Sequence, residues 1–390
     1  MKASSLSTRT LFIIVIAGIA MIGGGLLIGQ TMPSFFPPEA SAQSQQIDAL
    51  FKVLLVIGGA IFLLVEGLLL YSVIAFRAKP GDTADGPHIH GNTTLEIVWT
   101  AIPAVIVTVI TILSYNVWVS IRAEQPDEAV VNVVGARFNW AFTYNVASNE
   151  LPADTVVTDL PQSVQDKLNQ DGAVQVTANE LHTYIGQSLK LEMETRDVIH
   201  SFWVPAFRMK QDLLTGRVTE IRFTPVEVPD NTDYPVRYPI RCAELCGGNH
   251  GAMISWVVVH KDEAAFKAEF LDTAVAKVLH PPEDPVLRGS DLLSSQQYPC
   301  FTCHTLSEFG WTANIGPSLD GVADRAAGIR SQATGLSATD YLLQSIHDPS
   351  AYLVPGFGPL MPNLNIPDDQ AQDIVAFLCT LSETGESTCG

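Results

Sequence analysis

The chain has 390 residues, of which 47% are hydrophobic and only 16% charged, and its formal net charge is −19. That length suits two or three domains, and a charged fraction well under the usual ~25% places part of the apolar material outside an ordinary soluble core. A purely soluble enzyme, a disordered chain and a nucleic-acid binder, which needs clustered Lys and Arg, are all excluded.

Lys2 and Arg9 precede an uncharged apolar run over 11–29, and Ala40-Ser41-Ala42 follows as a small-x-small pattern. Residues 1–42 therefore read as a signal peptide or as an additional transmembrane helix. A second apolar run covers 51–76, with Lys52 at its edge and Glu66 inside, and ends at Arg77 and Lys79. A third covers 97–119, with Trp99, Tyr115 and Trp118 near its ends. Each later run meets the ~20 residues needed to cross a bilayer, so 47–122 is predicted to be a transmembrane helical hairpin. The Lys/Arg bias keeps the amino terminus and the Arg77/Lys79 loop in the cytoplasm, so everything after Ile121 lies outside. Glu66, an acid within a span, is expected to face a partner subunit or water.

Over 128–270 the pattern changes to short strands, at 130–134, 138–144, 189–195, 220–224 and 254–260, rich in β-branched and aromatic residues. This predicts a small antiparallel β-domain. The polar stretch 145–176 fits no strand register and is expected to be an insertion. A helical pattern over 261–277 runs into prolines 281, 282 and 285, so 271–285 reads as a linker. Beyond it, 286–390 reads as a separate helical module, with helices over 290–297, 337–347 and 367–381.

All six cysteines fall outside the membrane, where oxidation pairs them unless something else holds them. Cys242-Ala-Glu-Leu-Cys246-Gly-Gly-Asn-His250-Gly-Ala-Met253 gathers two thiols, an imidazole and a thioether in twelve residues. Zinc has little use for Met, and a thioether beside thiolates points to copper. His200 is the distant partner, following a strand and preceding an aromatic turn. Two thiolates that each bridge two ions suffice, with two imidazoles, a thioether and a backbone oxygen, for a dinuclear centre sharing one electron. The bland alternative is a Cys242–Cys246 disulfide with His250 and Met253 incidental.

Cys300-Phe-Thr-Cys303-His304 is the haem c attachment pattern, two thiols for the vinyl groups and an adjacent imidazole for the iron. Met361, the only methionine after Met253, supplies the other axial sulfur, and the Pro317 carbonyl is the expected acceptor for the His304 ring N–H. Cys379 and Cys389 have no His or Met companion and read most simply as a disulfide.

A two-helix anchor, the copper motif, Asp197-Val-Ile-His200-Ser-Phe-Trp-Val-Pro205 and an appended Cys-x-x-Cys-His module together resemble subunit II of haem–copper cytochrome c oxidases. The appended module makes the chain similar to the caa3 type, which fuses a cytochrome c domain to that subunit. The resemblance covers nearly everything from Ile47 onward apart from the insertion. It implies a cupredoxin-like barrel or sandwich followed by an all-α cytochrome c domain, both extracytoplasmic, on the plasma membrane of a prokaryote. It assigns His200, Cys242, Cys246, His250, Met253 and the Glu244 carbonyl to the dinuclear copper centre CuA, and the Glu244 side chain to a Mg²⁺ site shared with subunit I. Leu95-Glu96-Ile97-Val98-Trp99-Thr100 is similar to the start of the family's second helix, which makes Glu96 a candidate for proton uptake. The family usually carries a Trp for electron transfer into copper where this chain has Phe138, with Trp140 two residues on.

The implied partners are the haem–copper subunit I and other oxidase subunits, with an external donor such as a cytochrome c or a small copper protein. The haem module carries 3 basic and 11 acidic residues from Val286 onward, a balance suited to steering a basic donor. A membrane-anchored electron carrier serving another reductase is the rival reading. Nitrous oxide reductase needs more histidines than the nine here, a quinol oxidase subunit lacks the copper ligands, and a copper-delivery protein needs no covalent haem.

Overall fold

The computed structural model describes residues 7–77, 81, 91–152, 155–228, 233–383 and 389. They form two compact units, 1–123 and 124–390.

In the first unit every long apolar run is a helix: α1 (Thr8–Thr31), α2 (Ala42–Ala75) and α3 (Thr93–Arg122). All three are long and apolar enough to span a bilayer, and their large side chains point outward, as lipid-facing residues do. Ser41 caps α2 through a reciprocal capping box with Ser44, so the small-x-small stretch read as a cleavage pattern is also a helix start. α1 packs closely on α2, where a Cβ added at Gly25 would stand 2.5 Å from the Val56 carbonyl oxygen. Arg77 closes the described part of the α2–α3 loop; Lys2 and Lys79, which share in the orientation argument, lie outside the described residues.

The second unit begins with two five-stranded sheets. β1 (Ala129–Ala136), β2 (Asn139–Ala147), β3 (Ala173–Ala178), β5 (Leu189–Thr195) and β8 (Thr219–Phe223) form one, in the order β3-β2-β1-β5-β8. β4 (Leu181–Tyr184), β6 (His200–Val204), β7 (Met209–Leu213), β9 (Val236–Cys242) and β10 (Ile254–His260) form the other, in the order β4-β10-β9-β6-β7. The period-2 alternation places Leu189, Leu191 and Met193 inward from β5, where they meet Trp140, Phe142, Phe202 and Ile240 in a closed core. The predicted all-antiparallel pairing is corrected. β1 pairs parallel with β5, and β10 parallel with β4, because the connections between them are long enough to cross over. The predicted insertion also shrinks. Residues 145–147 extend β2, 173–176 belong to β3, and only 148–172 with helix α4 (Gln162–Asp171) stand outside the sheets.

His182 on β4 and His260 on β10 are brought side by side by that parallel pairing. His260 Nδ1 donates to the Glu269 carboxylate at 2.9 Å, so its Nε2 accepts from His182 Nδ1 at 3.1 Å. Glu269 lies on a continuous helical stretch made of α5 (Glu263–Phe266), a π turn over Lys267–Leu271 and α6 (Asp272–Leu279). Helix therefore occupies much of the predicted linker, leaving 280–284 as the non-helical joint before α7.

In the helical module, α7 (Pro285–Ser294) crosses α11 (Asp368–Leu378), separated in sequence by a two-stranded ladder of β11 (Thr305–Leu306) and β12 (Trp311–Thr312) and by α8 (Val322–Arg325), α9 (Ser331–Thr334) and α10 (Ala338–His347). The crossing is backbone-close: a Cβ at Gly289 would lie 1.9 Å from the Asp373 carbonyl oxygen, so only glycine fits. Arg288 fixes it with two hydrogen bonds to the Asp373 carboxylate, at 2.8 and 2.7 Å. The Cys379–Cys389 disulfide is formed, tying 389 to the end of α11.

Burial, the neighbouring His260 and Arg237 together hold His182 down to about 3, against an ordinary 6.5. The unfolded chain then takes up a proton below 6.5 that the folded chain refuses until about pH 3. Stability is full above that range and falls with pH, with a slope approaching about 1.4 kcal/mol per pH unit. In chemical unfolding followed from neutral pH towards about pH 4.5, above the carboxylate range, His182→Gln is expected to flatten the fall. An unchanged slope contradicts this account of the pair.

Candidate metal centre and haem-binding turn

Two remote stretches meet because β6 and β9 are neighbours, with Phe202 opposite Cys242 and Trp203 opposite Arg241. His200 opens β6 and Cys242 ends β9, so this register sets an imidazole beside a thiol. His200 does follow a strand, β5, but the aromatic stretch after it, expected as a turn, is strand β6 itself. The loop 243–253 leaves β9 and returns as β10, closed at its base by Cys242 N–H donating to Met253 O at 3.2 Å and Ala243 N–H to Ser201 O at 2.9 Å. A positive φ of 134° at Gly247 and a 3₁₀ turn over His250–Ala252 fold it back on itself.

The result is a buried cluster of soft donors. Cys242 Sγ lies 3.9 Å from His200 Nδ1, 3.9 Å from Cys246 Sγ and 3.2 Å from the Glu244 carbonyl oxygen. Cys246 Sγ lies 3.6 Å from His250 Nδ1 and 3.9 Å from Met253 Sδ. Both cysteines are free, and the sulfur separation is far beyond the ~2.04 Å of a disulfide. Donor atoms of His200, Cys242 and Cys246 all stand within 4.8 Å of one another. Two thiols, two imidazoles, a thioether and a carbonyl exceed the four positions of a structural zinc site and suit a pair of copper ions.

Burial opposes ionisation at Cys242, but His200 and the Ser201 N–H outweigh it and hold the thiol well below its usual range. Burial and the charge on Cys242 push Cys246 up instead.

Asp197, quoted in the motif without a role, orients this site. Its Oδ1 accepts from His200 Nε2 at 2.8 Å and Val198 N–H at 2.7 Å, and its Oδ2 from Arg137 N–H at 2.8 Å. The carboxylate fixes the protonated nitrogen as Nε2 and frees Nδ1 for a metal. The signal was legible in the i, i+3 spacing of Asp197 and His200. Burial lowers His200's affinity for protons, but Asp197 and Cys242 raise it further than burial lowers it.

Phe138 and Trp140 stand on different sides of the cluster. The Phe138 ring lies against the loop, where a Cβ at Gly247 would meet its Cζ at 3.2 Å. Trp140 is in the core, edge-on to His200 at 6.2 Å between ring centroids, and its Nε1 finds no hydrogen-bond partner among the described residues. Glu96 is in the first turn of α3, which Asn92 caps by accepting from Leu95 N–H at 3.2 Å.

In the helical module, Pro299–Thr302 is a 3₁₀ turn that brings Cys300, Cys303 and His304 together. His304 Nδ1–H donates to the Pro317 carbonyl at 2.7 Å, as the sequence predicts. Burial holds the ring below its ordinary range, so Nε2 keeps its lone pair. A Cβ at Gly316 would come within 2.7 Å of His304 Cε1, so glycine admits the ring. An open cavity lined by Cys300, His304, Leu342, Ile346, Ile374 and Met361 adjoins it. An apolar slot with the Cys300 thiol, a neutral imidazole and a thioether in its lining, and Cys303 beside His304 in the chain, fits a covalently attached haem.

Fold and site define a membrane-anchored redox protein with a soft-metal β-domain and a haem-type helical module. Comparison with known proteins places it further. Residues 29–117 match the transmembrane domain of cytochrome c oxidase subunit II, 129–261 its periplasmic domain and 288–382 cytochrome c. Cytochrome c oxidase subunit 2 of Synechocystis sp. is 32% identical over 70% of this chain and 84% of its own length, and that of Thermostichus vulcanus 34% over 58% and 75%. The periplasmic domain of subunit II of Bradyrhizobium japonicum cytochrome oxidase is similar at 20% identity, over 40% of this chain and 98% of that one, with a TM-score of 0.27. The chain belongs to the cytochrome c oxidase subunit II family and carries a cytochrome c domain at its carboxyl end.

Asp197→Ala removes the brace on His200 while leaving every donor in place. Copper affinity, measured by chelator competition, is expected to fall about 10–100-fold with the fold retained by circular dichroism. Unchanged affinity removes Asp197 from the site.

Proposed function

We propose that this chain is the electron-input subunit of a terminal cytochrome c oxidase in a prokaryotic plasma membrane. It takes electrons from an external donor and delivers them to a haem–copper subunit I that reduces O₂ to water with proton translocation. The observation that carries this reading is the convergence of His200, Cys242, Cys246, His250 and Met253 in one chain with a Cys300/Cys303/His304 turn.

His200, Cys242, Cys246, His250, Met253 and the Glu244 carbonyl hold CuA. Cys300 and Cys303 would attach haem c, and His304 and Met361 would bind its iron. When bound, these two groups would supply one-electron transfer chemistry. The protein's own contribution is rigidity: a donor set fixed by two paired strands and an Asp-braced imidazole changes little when the charge of the site changes. His304, neutral, keeps its ring orientation through its hydrogen bond to the Pro317 carbonyl.

Glu244 is the proposed side-chain ligand of a Mg²⁺ shared with subunit I. Glu96 is the proposed point where protons approach that subunit's pathway. Phe138, against the copper loop, and Trp140, against His200, are the proposed electron-path residues. The metal domains lie on the extracytoplasmic side, and a basic cytochrome c or small copper protein is the proposed donor, drawn by the acidic haem module.

The rival, a lone anchored carrier, is separated by purification. Affinity capture of the full-length chain from detergent-solubilised membranes is expected to bring down a subunit with a- or o-type haem and cyanide-sensitive O₂ consumption driven by reduced cytochrome c. Capture of the holo-chain without such a subunit or such activity overturns the oxidase reading.

A further inference from the structure

Six residues that the relay does not use as ligands are paired between the modules in three hydrogen bonds. Asn249 immediately precedes His250, and its Nδ2 donates to the Thr302 carbonyl at 3.0 Å. Thr302 is one of the two residues between the attachment cysteines and immediately precedes Cys303. It is itself fixed, because its Oγ1 donates to the Pro299 carbonyl at 2.7 Å and lies 3.6 Å from Cys303 Sγ. On the other side of the haem cavity, Arg196, four residues before His200, reaches from its Nη1 to the Leu364 carbonyl at 3.4 Å. Leu364 lines that cavity three residues after Met361. A third bond, Asn179 Nδ2 to Gln296 Oε1 at 2.9 Å, lies beside β4.

We infer that the two ligand-bearing loops of the β-domain clasp both ends of the haem slot, so that the helical module works docked on the copper loop rather than as a carrier swinging on its 280–284 joint, with Asn249 as the central positioning residue. The inference rests on the relay reading above. Its physical content is the contrast between a short chain of bonds and a moving one. From His250 the path runs through the Asn249 backbone and side chain, across one hydrogen bond, to the Thr302 carbonyl and on to Cys303. A swinging module makes that connection only when it returns. The contacts are few and polar, as in a docked but separable interface, so each hydrogen bond counts in the docked population. The clasp also covers the Asn249 edge of the copper loop, which directs an external donor to the haem module.

Asn249→Leu keeps the side chain's bulk and removes the donor. A neutral hydrogen bond contributes about 1 kcal/mol net, so the docked-to-undocked ratio is expected to fall about fivefold. The test uses the intact, copper- and haem-loaded oxidase. In the parent, haem-to-copper electron transfer after flash photoreduction is expected to be independent of solvent viscosity. In Asn249→Leu it is expected to slow and become viscosity-dependent, while amide exchange over 299–304 quickens and the haem potential and copper spectrum stay unchanged. Gln296→Ala, which removes the Asn179 bond without touching any ligand, is a second variant expected to quicken the same exchange. Viscosity dependence in the parent, or an Asn249→Leu protein indistinguishable from it in both rate and exchange, overturns the clasp. A parent lacking copper or covalent haem overturns the relay reading instead, so the two failures are told apart.

Discussion

The pairing of β6 with β9 is the constraint on which the rest depends. Because side chains alternate along a strand, a slip of one residue between Phe202 and Cys242 would turn His200 or Cys242 to the opposite face of the sheet and dissolve the donor cluster. The register is held by burial more than by the ligands. Phe202, Val204, Ile240 and Leu213 are fully or almost fully buried around it, and Trp140 packs edge-on against Phe202 at 5.6 Å between centroids. A buried aromatic of this kind contributes about 3–5 kcal/mol by truncation, enough to keep a cluster of polar and ionisable donors in place before any ion binds.

Charge management follows from the same geometry. Sulfur and imidazole are forced together in a low-dielectric setting, and the cost is relieved by Asp197 and by a thiol that ionises next to His200. The haem module solves a simpler problem with fewer parts: one neutral imidazole, one carbonyl and one glycine that makes room for the ring. The donors of one site are thus held by packing and the imidazole of the other by a single hydrogen bond. A Cys-x-x-Cys-His turn touching the residue before His250 then sets the two side by side.

Much of this was legible in the sequence because it is locally encoded. The apolar runs carry their own length criterion, the cysteine spacings carry their own chemistry, and 189–195 by its alternation and 254–260 by its β-branched run are placed to the residue. What was missed depends on partners distant in sequence. β3 and β4 are short and sit among polar residues, and become strands only because β2 and β10 offer edges to pair with. The parallel β1–β5 and β4–β10 pairings leave no local trace, and the aromatic stretch after His200 reads as a turn although it is a strand paired with β7 and β9. Asp197 could have been found from its spacing to His200. The Asn249–Thr302 contact spans 53 positions and two modules, and no local pattern announces it.

The most direct measurement of the central claim is quantitative electron paramagnetic resonance of the oxidised, copper-loaded chain with its metal content counted. If the donors enclose a coupled pair, the copper signal integrates to one spin for two coppers and its hyperfine structure comes from both nuclei equally. A signal of one spin per copper, with hyperfine structure from a single nucleus, contradicts the shared centre and with it the account of what β6 and β9 hold together.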